Sequence, residues 1–250
     1  MDLSAHSRLR NLLELLAGYG LVFAVIWTPM PAQRILYWLA VVCIVVFTIL
    51  RRDTLHSLGL APTGALRSSW IVAGALALAA LAVVIAKLLG TLHRIPRADS
   101  FPLNFRMGGY VVWAFLQEFL LQIFVLTRLM RLLPRRSMAI AAAALLFAAA
   151  HIPNPVLVVL TLVWGFIACP LFLRYRNLYA LGLAHGILGI CVAMTVPNAM
   201  HHHMRVGLGY LRYHPRHYRI QRSSAPQTVS TQAWVMDDAA ILLSDRQARP

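Results

Sequence analysis

The chain has 250 residues, of which 60% are hydrophobic and only 12% charged, and its mean hydropathy is +0.68. Soluble domains run near half apolar and a quarter charged, so this composition excludes an ordinary water-soluble globule and describes a polytopic membrane protein. The net charge of +15 rests on arginine, Lys87 being the sole lysine among 23 basic residues. Most arginines stand between or just beyond apolar runs, where they reach anionic headgroups, and no basic recognition module for nucleic acid is present.

A hydrocarbon core about 30 Å thick takes roughly 20 helical residues to cross. Seven apolar runs meet or approach that length: 9–29, 35–51, 70–90, 107–128, 137–152, 155–175 and 178–197. The expected fold is all-α, a bundle of about seven transmembrane helices over residues 1–200. Proline punctuates it: Pro29 and Pro31 close the first run, Pro134 precedes the fifth, Pro153 and Pro155 part the fifth from the sixth, and Pro197 ends the seventh. The first run is too long for a signal peptide, lacks an A-x-A-like cleavage site and leads straight into a second span, so it is expected to stay as a helix. Within it, Glu14 follows Arg10 by four residues, the spacing of a local helical ion pair. Leu55 to Ser69 is expected to be a surface connector, and the fifth run, at about 16 residues, is short for a span.

Eleven arginines, among them Arg51, Arg128 and Arg176, fall on the side of the N-terminus, against Arg34, Arg94, Arg97 and Arg106 on the other. That bias predicts a cytoplasmic N-terminus. Seven spans then send residues 201–250 outward, unless one span is re-entrant. From His201 to Arg222 this tail is basic and aromatic and is expected to lie at headgroups, with its three consecutive histidines interfacial. From Ser223 onward it is polar and is expected to be partly disordered. Cys43, Cys169 and Cys191 all lie inside apolar runs without metal-ligand spacing and read as buried thiols. Arginine in place of lysine suggests a bacterial source, and hence an inner membrane.

Only Glu14 and Glu118 place a carboxylate inside the apolar runs. An ionised group in hydrocarbon is costly, by roughly 3 to over 10 kcal/mol, so Glu118 is a functional-site candidate by default. Gln122 shares its helix face four residues on, while Gln117 points about 100° away. His151 follows Phe147 by four and precedes Pro153, placing an imidazole at a helix end where backbone groups are free. His185 is surrounded by Gly182, Gly186 and Gly189, which allow close approach of another helix or of a substrate backbone. Taken singly, each histidine also fits an interhelical hydrogen-bond partner, and Glu118 a protonated acid bonded to a neighbour. Aromatic residues in the spans read as packing or interfacial anchors.

Three stretches, QEFLLQ (Gln117 to Gln122), FAAAH (Phe147 to His151) and HGILG (His185 to Gly189), resemble the EExxxR, FxxxH and HxxxN motifs of the CPBP family of CAAX-protease and bacteriocin-processing intramembrane endopeptidases. The resemblance runs from about residue 113 to 191. It implies hydrolysis of a peptide bond in a membrane-associated substrate by water activated by Glu118 and His151, with His185 steadying the oxyanion and no cofactor required. Gln117, Gln122 and Gly189 depart from the family's glutamate, arginine and asparagine. An inactive homologue serving as membrane scaffold or processing partner is therefore the alternative. A third reading has the two histidines ligating a b-type haem, or with Glu118 a zinc ion.

Overall fold

The computed structural model describes residues 3–61, 64–93 and 108–213. Every apolar run becomes a helix. The first three are α1 (Leu3–Trp27), α2 (Ala32–Ile49) and α3 (Ala65–Leu88). The fourth span is composite: α4 (Gly108–Glu118), a π-helical run (Phe119–Leu126) and α5 (Thr127–Leu132) follow without a break. Next come α6 (Arg136–Ala149), α7 (Pro155–Tyr175) and α8 (Leu178–Thr195). Six of these spans are long and apolar enough to cross a membrane. The 14 residues of α6 reach only about 21 Å at 1.5 Å per residue, and the helix stops two residues before His151.

Local chemistry sets the later starts. Asn154 caps α7, its side chain accepting from the Leu157 amide at 3.1 Å, and Pro155 occupies the first helical position, where no amide proton is needed. Asn177 caps α8 in the same way through Ala180 at 3.0 Å, and its amide donates to Ser68 Oγ at 2.9 Å, tying α8 to the start of α3. α8 packs between α3 and α4, α6 against α7, and α1 against α2. Large apolar side chains that no helix covers, such as Ile35, Trp38, Leu66, Leu78 and Val163, point outward, as a lipid-solvated surface requires.

The two ends of the bundle differ. One gathers the arginines: Glu14 accepts from Arg10 at 2.7 Å, from Arg51 at 2.9 Å and from Arg128 at 2.9 Å, while Arg131 reaches Asp53 and Arg176 donates to the Ser57 carbonyl. The expected Arg10–Glu14 pair forms, but Glu14 is the hub of a larger cluster that fastens α1 to the turn after α2 and to α5. At the other end the chain after α8 folds back. Helical turns α9 (Asn198–His201) and α10 (Gly207–Leu211) dock on the α6–α7 turn, with Asn154 donating to the carbonyls of His201 and Arg205 and the Gly207 amide donating to Ile152. The first part of the tail, expected at headgroups, is thus packed against the bundle as far as Tyr213. The remainder of the basic stretch and the polar end lie outside the described residues.

Candidate active site

Glu118 ends α4 where the helix widens into its π-helical run. Such i→i+5 turns are rare and recur at functional sites, because they re-aim side chains relative to the helix on either side. Both carboxylate oxygens face inward, and the side chain is 0% exposed. Oε1 accepts from the Trp164 indole N–H of α7 and from His185 Nδ1 of α8 at 2.8 Å. Oε2 accepts from Gln122 Nε2 at 3.0 Å. Three N–H donors from three helices therefore replace the water that a buried carboxylate has lost, which is the condition for holding one in hydrocarbon. Gln122, also 0% exposed, keeps its own Oε1 without a partner, and the Cys169 thiol lies beside it.

His151 lies in the turn after α6. Its Nδ1 is 2.8 Å from the Phe147 carbonyl, so that nitrogen carries the proton and donates, leaving Nε2 as the free lone pair. Phe147 joins the two imidazoles: its ring centroid is 5.0 Å from His151 and 5.9 Å from His185, with interplanar angles of 72° and 90°. The Trp164 ring also contacts His185, with centroids 5.7 Å apart. Glu118 touches His185 directly and shares no hydrogen bond with His151. The Nε2 atoms of both histidines have no protein partner among the described residues, yet neither is among the sealed, unsatisfied atoms, so both remain reachable by a water-sized molecule.

The supporting positions divide. Gln122 and Phe147 are part of the cluster. Gln117 is half-buried and makes no side-chain hydrogen bond among the described residues. Gly189 faces Tyr110 of α4: a Cβ there would fall on the Tyr110 hydroxyl and within 2.6 Å of its Cζ. Among the described residues no group of three or more His, Cys, Asp or Glu side chains is placed to hold a metal ion. Both Nδ1 atoms and both carboxylate oxygens are already engaged.

Sequence reasoning missed Trp164, which it read with the other aromatic residues as a packing or interfacial anchor. An indole N–H inside an apolar run has to find an acceptor, and that requirement is the signal that could have found Trp164.

Residues 99–191 match the family model Rce1-like, type II CAAX prenyl endopeptidase. The matched stretch contains all three motif-bearing helices and begins upstream of Tyr110. No curated protein and no solved structure gives a match. Over that stretch, somewhat more than a third of the chain, the protein is similar to CAAX proteases, and its apolar helices are those of an integral membrane protein.

Proposed function

We propose that this CAAX-protease-like protein hydrolyses peptide bonds of membrane-associated substrates, with His151, His185 and Glu118 as its chemical machinery. The observation that carries the reading is the pairing of Glu118 with His185 against the Phe147 ring, which also contacts His151, whose Nε2 is free.

The roles follow from charge and proton accounting. A lone carboxylate at Glu118 would be an uncompensated charge in a low-dielectric interior, whereas protonating His185 gives a neutral pair. His185 then offers Nε2–H to the substrate carbonyl oxygen. His151, its tautomer fixed by the Nδ1–H bond to the Phe147 carbonyl, takes a proton from water at Nε2. The water oxygen bonds to the carbonyl carbon, and the displaced electron pair comes to rest on the oxygen facing His185. Collapse of that intermediate breaks the C–N bond, and the proton on His151 passes to the leaving amine, giving a carboxylic acid and an amine. General-base catalysis of this kind contributes about 10²- to 10⁴-fold, and a preorganised oxyanion donor about 10²- to 10³-fold. The family resemblance implies that Glu118 and His151 activate the water together. With its oxygens held by three N–H donors, Glu118 serves this reading better as the counter-charge that orients His185.

The amides at 117 and 122 and the glycine at 189 favour the second reading, a homologue that binds membrane partners without cutting them. Purified protein in liposomes, given an internally quenched peptide tethered to the bilayer by a lipid chain, separates the two. Cleavage by the wild type that is lost in His151→Ala and Glu118→Gln supports the peptidase. Binding of the peptide without cleavage supports the scaffold.

A further inference from the structure

Helices α4 and α8 run antiparallel along a seam of glycines. A Cβ at Gly182 would collide with the Phe115 ring, 2.6 Å from its Cε1, one at Gly186 would lie 3.3 Å from Val111 Cγ2, and one at Gly189 would land on the phenol of Tyr110. The first two contacts bring the helices close and place only carbon against carbon. The third brings a hydroxyl. Gly189 stands four residues after His185, one turn along the same face. The side-chain space at 189 is therefore filled by an O–H group supplied from the neighbouring helix.

That hydroxyl has no work in the fold. It hydrogen-bonds to nothing among the described residues and is not among the sealed, unsatisfied atoms. Tyr110 is half-buried, and a phenol set among apolar helices normally finds a partner, because an unmade hydrogen bond costs about 1–3 kcal/mol where water is kept out. An incoming polar group can supply that partner, since the hydroxyl is not sealed off. His185 has its Nδ1 committed to Glu118, so the group it directs at a ligand is Nε2.

We infer that Tyr110 is a further catalytic residue, its phenolic O–H acting with His185 Nε2–H as a second donor to the oxyanion of the peptide intermediate; this rests on the peptidase reading above. In the resembled motif an asparagine amide stands at the position of Gly189. Here the donor comes from α4, and glycine is what admits it: an amide at 189 and the phenol at 110 cannot share the space. A neutral phenol suits the task, since it stabilises developing charge without bringing a net charge of its own into hydrocarbon.

The test uses the full-length protein in liposomes with the tethered peptide. Tyr110→Phe keeps the ring against Gly189 and removes only the donor, so kcat should fall about 10²- to 10³-fold with KM unchanged. Gly189→Asn alone should be inactive through collision with Tyr110, while Tyr110→Ala with Gly189→Asn should recover activity over Tyr110→Ala by restoring a donor. Tyr110→Phe cleaving at the wild-type rate, beside an inactive Glu118→Gln, overturns the role of Tyr110 and leaves the peptidase standing. A wild type that cleaves nothing overturns both.

Discussion

Glu118 and His185 stand 67 residues apart in the sequence and 2.8 Å apart in the fold. The bond joins the end of α4 to the middle of α8, and α7 completes it through Trp164. The carboxylate engages Nδ1 and leaves Nε2 of the imidazole free, and the imidazole N–H is one of the donors that replace water around the carboxylate.

Trp164→Phe should isolate the contribution of the third helix. The ring contact with His185 persists while Glu118 Oε1 loses one of its two donors. A hydrogen bond to a charged group is worth about 1.5–3 kcal/mol, so kcat/KM should fall about 10- to 100-fold with the thermal unfolding midpoint in detergent little changed. Unchanged kcat/KM would mean that the indole merely packs.

The arginine end of the bundle makes a separate prediction about stability. Glu14→Gln leaves the guanidiniums of Arg51 and Arg128 facing each other unneutralised, and Arg128 is 0% exposed. Removing one partner of a buried ionic group costs about 3–5 kcal/mol, so this variant should melt well below the wild type. Arg10→Ala deletes an arm that is 56% exposed and should cost no more than about 1 kcal/mol. Equal melting of both variants would refute the hub.

Helix contact gives a third test. Gly165 lies so close to α6 that a Cβ would be 2.8 Å from Ala144 Cα, a backbone atom that cannot rotate away, whereas a Cβ at Gly20 would meet nothing within 4 Å. Gly165→Ala should therefore cost about 1–3 kcal/mol by forcing α6 and α7 apart, and Gly20→Ala should be neutral or slightly stabilising. Thermal melts of the two alanine variants decide it.

The docked segment after α8 should be sensitive to acid. His201 accepts from the Met204 amide at Nδ1, 3.0 Å away, and donates from Nε2 to the Val196 carbonyl, so it is neutral in the fold. Burial lowers its pKa below 6.5; burial also lowers that of His203, where the charge of Arg205 acts in the same direction. With folded values below the unfolded ones, the unfolded segment binds more protons. Its stability is then complete above about pH 6.5 and declines as the pH falls below it. Hydrogen exchange at the Gly207 amide should accelerate between pH 7 and pH 5; exchange that follows only the intrinsic pH dependence would contradict the assignment.

What could be read from the sequence is what the membrane itself demands. Seven apolar runs were legible because crossing hydrocarbon requires them, and Glu118, His151 and His185 stood out because polar groups there are rare. What escaped depends on distant packing. The π-helical run Phe119–Leu126 has no local code of its own, since the same apolar residues fit an ordinary α-helix. Arg128 looked like one more flanking arginine, yet it reaches a glutamate 114 residues away. Glu14 announced only its neighbour Arg10, because four-residue spacing is visible in a sequence and contacts between helices are not. Tyr110 and Trp164 were hidden by their apolar rings, since periodicity reports which face a ring occupies and is silent about its polar tip.

The most direct measurement is a double-mutant cycle on kcat/KM for peptide cleavage in liposomes, using Glu118→Gln, His185→Ala and the two combined. If the carboxylate works through the imidazole, the double variant should be no slower than the worse single variant. Losses that multiply, or single variants that cleave at the wild-type rate, would show that the bond between Glu118 and His185 is structural and that the chemistry lies elsewhere.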